Sequence, residues 1–410
     1  MTATRAGEIK IVVVLALGFG LVGVDRFLIS TLFPVIARDL HLDYGDIGTI
    51  TGVLAIAWGL AALLMGNLAD RIGRRRVLVG SLILFSLLIG ASGLATGLMG
   101  LLFVRVFMGV ADGAFTPASI SATIEASPAE RHGRNIGMQQ MTLTLFGLGF
   151  CPLLVGELLH LLNWRWVFAI FIIPGLLLAW ATWRLVPTTA VAAVEDVLRS
   201  PLHDWQAVLG YRNIRVLMAC MLCWLTCLVT TSAFMPSYLL DHLKLSFGAM
   251  GMVMSAIGFG AAAGTLFLPW LSDFFGRTTI MLFAALGAGL SLAWLNSLGA
   301  VPIKLFAALF AVHFFNNALI TLTVGPVCSE TVPSKLMATA SGMVIAAGEL
   351  FGGGLAPIVA GEVADNFGIA HLLWLPMAAM GLGFILCMLV RETHTPPPLT
   401  VDRELWIPLP

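Results

Sequence analysis

Twelve apolar runs, each long enough to cross a bilayer, follow one another along this chain of 410 residues. They fall near 9–37, 47–69, 77–97, 99–126, 135–160 and 164–185, then near 214–240, 249–274, 279–298, 303–329, 337–363 and 371–390. Backbone polar groups inside lipid must be satisfied within each segment, so runs of this length read as helices. The chain is 59% hydrophobic and 11% charged, against about 25% charged residues in a soluble domain. A soluble enzyme with one anchor is therefore excluded. The expected fold is an all-α membrane protein of twelve transmembrane helices in two pseudo-symmetric six-helix bundles. The expected units are an N-terminal bundle at 1–185, a cytoplasmic linker at 186–213, a C-terminal bundle at 214–390 and a cytoplasmic tail at 391–410. The linker is the one long polar interruption, with Pro187, Glu195, Asp196, Arg199 and Pro201. The tail carries Pro396, Pro397 and Pro398 and reads as a polyproline segment.

Orientation follows from the basic residues. With the N-terminus inside, four Lys and Arg residues lie outside (Arg38, Arg165, Lys244 and Lys304) and two lie within spans (Arg26 and Arg105). The other sixteen of the 22 fall on the cytoplasmic side, so both termini are expected there. The first apolar run is too long for the core of a cleaved signal. Short loops without an N-x-S/T sequon fit a bacterial inner-membrane (plasma-membrane) protein. The net charge is zero, which gives no argument for a nucleic-acid partner. All six cysteines sit in apolar runs and read as packing residues. No metal-ligand pattern and no phosphate-binding G-x-x-x-x-G-K-[ST] loop is present, so neither metal chemistry nor an ATP-driven pump is expected.

The two halves repeat. LDYGDIG at 42–48 matches LSFGAMG at 245–251, an offset of 203. Asp70, Gly73 and Arg74 match Asp273, Gly276 and Arg277 at the same offset. Glu125 and Pro128 match Glu330 and Pro333 at 205, as Pro152, Gly156 and Glu157 match Pro357, Gly361 and Glu362. Parallel repeats of this kind build transporters whose site lies between the halves.

Between spans 2 and 3 stands GNLADRIGRRR, 66–76. It resembles the major facilitator signature G-x-L-A-D-R-x-G-R-R at every fixed position, and WLSDFFGR at 270–277 is a weaker copy. The resemblance covers residues 9 to about 390. It implies a conformational latch holding the two halves in the outward-facing state, built from Gly66, Asp70, Arg71, Gly73 and Arg74, with Asp273 and Arg277 in the copy. Locally, glycines permit close helix approach and a tight turn. Asp70 can accept hydrogen bonds from a helix end or pair with an arginine.

Five charges lie deep inside the spans: Asp25, Arg26, Arg105, Asp112 and Glu349. Each costs about 2.5–3.5 kcal/mol at the bilayer centre, so five facing lipid would cost on the order of 15 kcal/mol. They are expected to face an interior and to pair. Arg105 and Asp112 are seven residues apart, two helical turns, and share a face. Adjacent Asp25 and Arg26 point about 100° apart and make a poor pair with each other. RVFMGVADGAFTP at 105–117 together with Asp25-Arg26 resembles the anion:cation symporter branch of the superfamily. Asp112 stands where those carriers usually have Glu.

On these readings the chain is expected to be no enzyme, and each residue has a role. Asp112 is the first candidate for proton coupling and Asp25 the second, with Glu349 as a proton or substrate contact. The planar fork of Arg26 suits a substrate carboxylate. Arg105 is expected to hold Asp25 or Asp112 in place as well as to line the substrate site. His313, Asn316 and Asn317 form the other polar cluster at mid-membrane depth and are candidate substrate contacts. Asn317 is the repeat counterpart of Asp112, and Phe310 that of Arg105. Glycines around Glu349, with Pro357, suggest a thin or interrupted helix lining a cavity.

The expected activity is proton-coupled uptake of an organic carboxylate by alternating access. The expected partners are a small organic anion, protons and the lipid bilayer, with no cofactor, the proton gradient as driving force and a monomer as working unit. The competing reading is a proton-coupled efflux antiporter for drugs or metabolites. Antiporters of that kind carry G-x-x-x-G-P-x-x-G-G in span 5. Here Gly147, Pro152 and Gly156 fit that pattern, while Cys151 and Val155 replace two of its glycines.

Overall fold

The computed structural model describes residues 5–128, 131–187, 201–333 and 336–393, with side chains described outside 6, 62–72, 133, 201–204 and 338. Among the described residues, twelve helices are long and apolar enough to cross a membrane. In the first half they are α1 (Arg5–Leu40), α2 (Tyr44–Ile72), α3 (Arg74–Ser92), α4 (Leu98–Ala126), α5 (Arg134–Leu161) and α6 (Trp164–Leu185). In the second they are α7 (Arg212–His242), α8 (Phe247–Phe275), α9 (Arg277–Ser297), α10 (Pro302–Thr331), α11 (Thr339–Phe367) and α12 (Ile369–Cys387). Each half holds an even number of spans, so the beginnings of α1 and α7 and the ends of α6 and α12 share one end of the bundle. That end is called here the terminal end, and the opposite one the far end.

Within the polar stretch that separates the halves, Pro201–Gly210 forms a short helix. The charged residues Glu195, Asp196 and Arg199 lie outside the described residues, as does the tail from 394 onward. The six cysteines are buried and unbridged.

The turn between α2 and α3 is made by Gly73 at φ 94°, and its copy between α8 and α9 by Gly276 at φ 89°. Side-chain-bearing residues are strained there, so the two signature glycines are set by backbone geometry.

Besides a π-helical turn at Tyr238–His242 that ends α7, two spans widen into π-helical turns at matching places in the repeat, Leu145–Phe150 in α5 and Gly348–Leu355 in α11. Each lies just ahead of a proline, Pro152 and Pro357. Proline has no N–H for the preceding turn and its ring crowds that turn's carbonyl, and the widened turn accommodates both. The sequence suggested an interrupted α11. The chain instead stays helical through Glu349 and is only wider there.

The halves meet along three seams: α2 on α11, α5 on α8 and α1 on α7. On the first, Gly48 lies against the carbonyl of Pro357; on the second, Gly258 lies against the backbone of Gly149. A Cβ at either position would collide with main chain. Small residues at these crossings let the backbones approach, the usual way membrane helices pack.

Candidate functional site

The buried charges gather around α1, whose Asp25 and Arg26 face α4 and α11. Asp25 and Arg26 are consecutive on α1 and part company, as helix geometry demands. Arg26 reaches across to the other half. Its Nη1 donates to Glu349 Oε1 at 3.2 Å and its Nη2 to Oε2 at 2.8 Å. Both side chains are 9% exposed. The guanidinium also lies over the Trp58 ring, 4.3 Å from its centroid. Arg26 is thus held between an aromatic face of α2 and a carboxylate of α11, in the two-pronged geometry that favours arginine over lysine.

Asp25 turns the other way, toward α4. Arg105 donates from Nη1 to the Asp25 backbone carbonyl at 3.0 Å. Asp25, Arg105 and Asp112 are 1%, 1% and 0% exposed. The two carboxyls lie within electrostatic reach of each other, with the Arg105 charge beside them. Among the described residues, no donor reaches the carboxyl oxygens of either acid, and Arg105 Nε and Nη2 meet no acceptor. Two ionised carboxylates have only acceptors to offer each other, and one proton between them relieves their like-charge repulsion.

A small cavity touches both arginines, lined by Ser30, Thr51, Leu54 and Ser232 among others. At about 10 Å³ it has room for about one water. The charged cluster is therefore closed tightly in this conformation.

His313, Asn316 and Asn317 on α10 are buried but turn to other partners. His313 Nε2 bonds Thr231 Oγ1 of α7 at 3.1 Å. Asn316 donates to the Trp224 carbonyl of α7 at 3.2 Å, and Asn317 to the His313 carbonyl of its own helix at 3.3 Å. The first two bonds tie α10 to α7 within the second half, and none of the three reaches Arg26 or Glu349.

The signature residues sit at the terminal end. Gly66, Asp70 and Arg71 have helical backbone in α2, and their side chains lie outside the described set. Arg74 pairs with Glu125 of α4. In the repeat, Arg277 pairs with Asp273 at 2.5 Å and with Glu330 of α10 at 2.9 Å. These pairs lie within one half each. They do not bridge the halves in this conformation.

At the far end the halves are bridged by residues that sequence reading did not single out. Arg38 of α1 pairs with Asp241 of α7 at 2.8 Å, and Tyr44 Oη donates to the same carboxylate at 3.3 Å. Asp365 of α11 accepts from the backbone N–H groups of Tyr44 at 3.0 Å and Gly45 at 2.7 Å. It caps α2 from the opposite half. A vestibule of about 490 Å³ lies among these residues. The matched segments at 42–48 and 245–251 marked this region but not its partners.

A model of the Major Facilitator Superfamily matches residues 15–350 and 231–409. The chain belongs to the major facilitator superfamily. As a superfamily member it is a multi-pass membrane transporter and not an enzyme. The 3-(3-hydroxy-phenyl)propionate transporter of Escherichia coli (strain K12) is 30% identical over 349 residues, 80% of each chain. The gentisate transporter of Corynebacterium glutamicum is 24% identical and covers 91% of this chain and 85% of its own. These names agree with the organic-anion branch that α1 and α4 resemble. Among solved structures, a D-xylose-proton symporter superposes with a TM-score of 0.74 at 18% identity, covering 94% of this chain and 98% of that one. This superfamily member therefore has the major facilitator fold with a charged cluster at the interface of its halves.

Proposed function

We propose that this chain is a secondary active transporter that takes up an organic carboxylate together with protons. The observation that carries the reading is the buried set Asp25, Arg26, Arg105, Asp112 and Glu349, gathered between the halves. Charges kept at such depth mark a substrate or proton path. Arg26 is the proposed carboxylate anchor, with Trp58 behind it. Arg105 is the proposed partner of the acids of α1 and α4. Relatives named for aromatic and organic acids support a carboxylate substrate.

A charge count gives the coupling. The set holds two arginines and three acids. It is neutral when Asp25 and Asp112 share one proton. A monovalent carboxylate adds one negative charge, and the set stays neutral only with a second proton. Uncompensated buried charge is expensive, so loading and movement require that proton. One proton then accompanies each monovalent anion and uptake is electroneutral. Asp112, Asp25 and Glu349 are the proposed proton-coupling groups.

The excess of Lys and Arg assigns the terminal end to the cytoplasm, with both termini there, in a bacterial inner membrane. On that assignment the conformation described is closed toward the outside. The halves rock about the central cluster to expose it alternately. A monomer driven by the proton gradient, with no cofactor, suffices for this cycle.

The test is uptake of a panel of aromatic and aliphatic acids into proteoliposomes under an inward proton gradient. Accumulation that a protonophore collapses and that is insensitive to membrane voltage is the expected result. Export of lipophilic cations, with no acid accumulated, would replace the reading with the efflux antiporter.

A further inference from the structure

We propose that Glu349 is a built-in competitor for the substrate carboxylate, and that on displacement it takes up the coupled proton. This rests on the carboxylate-symport reading above and says which group does the coupling.

Glu349 fills the fork of Arg26 with both of its oxygens, at 3.2 and 2.8 Å. That is the geometry a substrate carboxylate would adopt there. The adjoining cavity has room for about one water. A carboxylate cannot join this pair without displacing Glu349.

Among the described residues packed against it, the displaced side chain meets no cation other than Arg26. Facing it, α1 offers Arg26, and α2 offers Ala55 and Gly59, with Trp58 stacked on the Arg26 guanidinium. Its own helix offers Leu350 and Gly353, while α7 packs Met221 and Leu225 against the neighbouring Gly348. A further acid, Asp112 of α4, lies within electrostatic reach of Arg26. Arg105 is already engaged with the Asp25 carbonyl and stands beside the Asp25 and Asp112 carboxyls. An unpaired buried carboxylate is strongly unfavourable, and protonation removes the charge. The second proton of the charge count therefore goes to Glu349, so that Arg26 pairs with the substrate and the displaced side chain carries no charge.

The cycle balances. Outside, the anion takes Arg26 and a proton from bulk water binds Glu349. Inside, where protons are scarcer, Glu349 returns its proton to bulk water, reclaims Arg26 and expels the anion. Because Arg26 and Glu349 belong to different halves, the same exchange also breaks and remakes a tie between them.

The experiment is isothermal titration of the purified full chain in buffers of different ionisation enthalpy, which counts protons taken up per anion bound. The probe is 3-(3-hydroxyphenyl)propionate, replaced if necessary by whichever acid proteoliposomes accumulate. In the native chain one proton is taken up, and affinity weakens about tenfold per pH unit toward alkaline pH. In Glu349→Gln the anion binds at least about tenfold tighter at neutral pH, takes up no proton and shows no pH slope. Native-like proton uptake and slope in Glu349→Gln would overturn the inference and leave the coupled proton on Asp25 and Asp112. If Glu349→Gln does not fold, Glu349→Asp decides. Its shorter carboxyl should hold Arg26 less well, giving tighter anion binding with one proton still taken up, and unchanged or weaker binding would overturn the inference. Failure of the native chain to bind any acid would instead refute the carboxylate reading itself.

Discussion

Replacing Asp365 with alanine should release the far end of the bundle. In the structure this exposed carboxylate accepts from the first two N–H groups of α2 across the interface of the halves, at 3.0 and 2.7 Å. Helix caps of this type contribute about 1 kcal/mol. A negative charge at a helix N-terminus adds about 0.3–1 kcal/mol when exposed. Together the loss is about 1.5 kcal/mol from the closed state, with nothing equivalent lost from a state in which the halves have separated there. The balance between far-end-open and far-end-closed forms then shifts about tenfold. Leu94 and Ile303 lie at the far end on opposite halves and are 80% and 68% exposed, so each accepts a spin label as cysteine. The native cysteines are buried and stay silent. Electron–electron double resonance on this pair should show the longer-distance population rising about tenfold in Asp365→Ala, with thermal stability little changed. An unchanged distance distribution would refute the reasoning and assign closure to the glycine seams and the Arg38–Asp241 pair alone.

Other outcomes follow from the same contacts. Gly258→Val should hold the far end open in the same label pair, because its Cβ would collide with the Gly149 backbone; a closed distribution would contradict the seam. Arg26→Lys keeps the charge but loses the fork, so anion binding should weaken by about one to two orders of magnitude in a titration. Arg277→Ala removes the pairs with Asp273 and Glu330 from a side chain 9% exposed and should cost about 1–3 kcal/mol, read as a lower unfolding temperature.

The spans were legible because lipid leaves a chain few options: each apolar run had to be a helix, and an even count put both ends of each half together. The divergence of Asp25 and Arg26 was legible for the same local reason, since neighbours on a helix point apart. The partner of Arg26 was not. Glu349 is 323 residues away, and only the packing of α11 on α2 brings it in. Asp365 escaped notice because one exposed acid near a helix end looks like any other until its partner helix is known. Arg38 was legible as a charge outside the membrane, not as half of a bridge to Asp241. The mid-membrane cluster of His313 and Asn316 was visible as polar, but whether it faces a site or another helix depends on how α10 rotates against α7. The widened turns in α5 and α11 had a signal in the paired prolines, which by themselves do not distinguish a π turn from a kink.

The central claim is that Arg26 anchors a carboxylate carried with protons. Its most direct test is uptake of the acid panel into proteoliposomes under an inward proton gradient, native chain against Arg26→Gln. The account predicts that the native chain concentrates at least one class of acid, that a protonophore abolishes this, and that Arg26→Gln loses it. Equal accumulation by the two chains, or no acid accumulated alongside export of lipophilic cations, would contradict it.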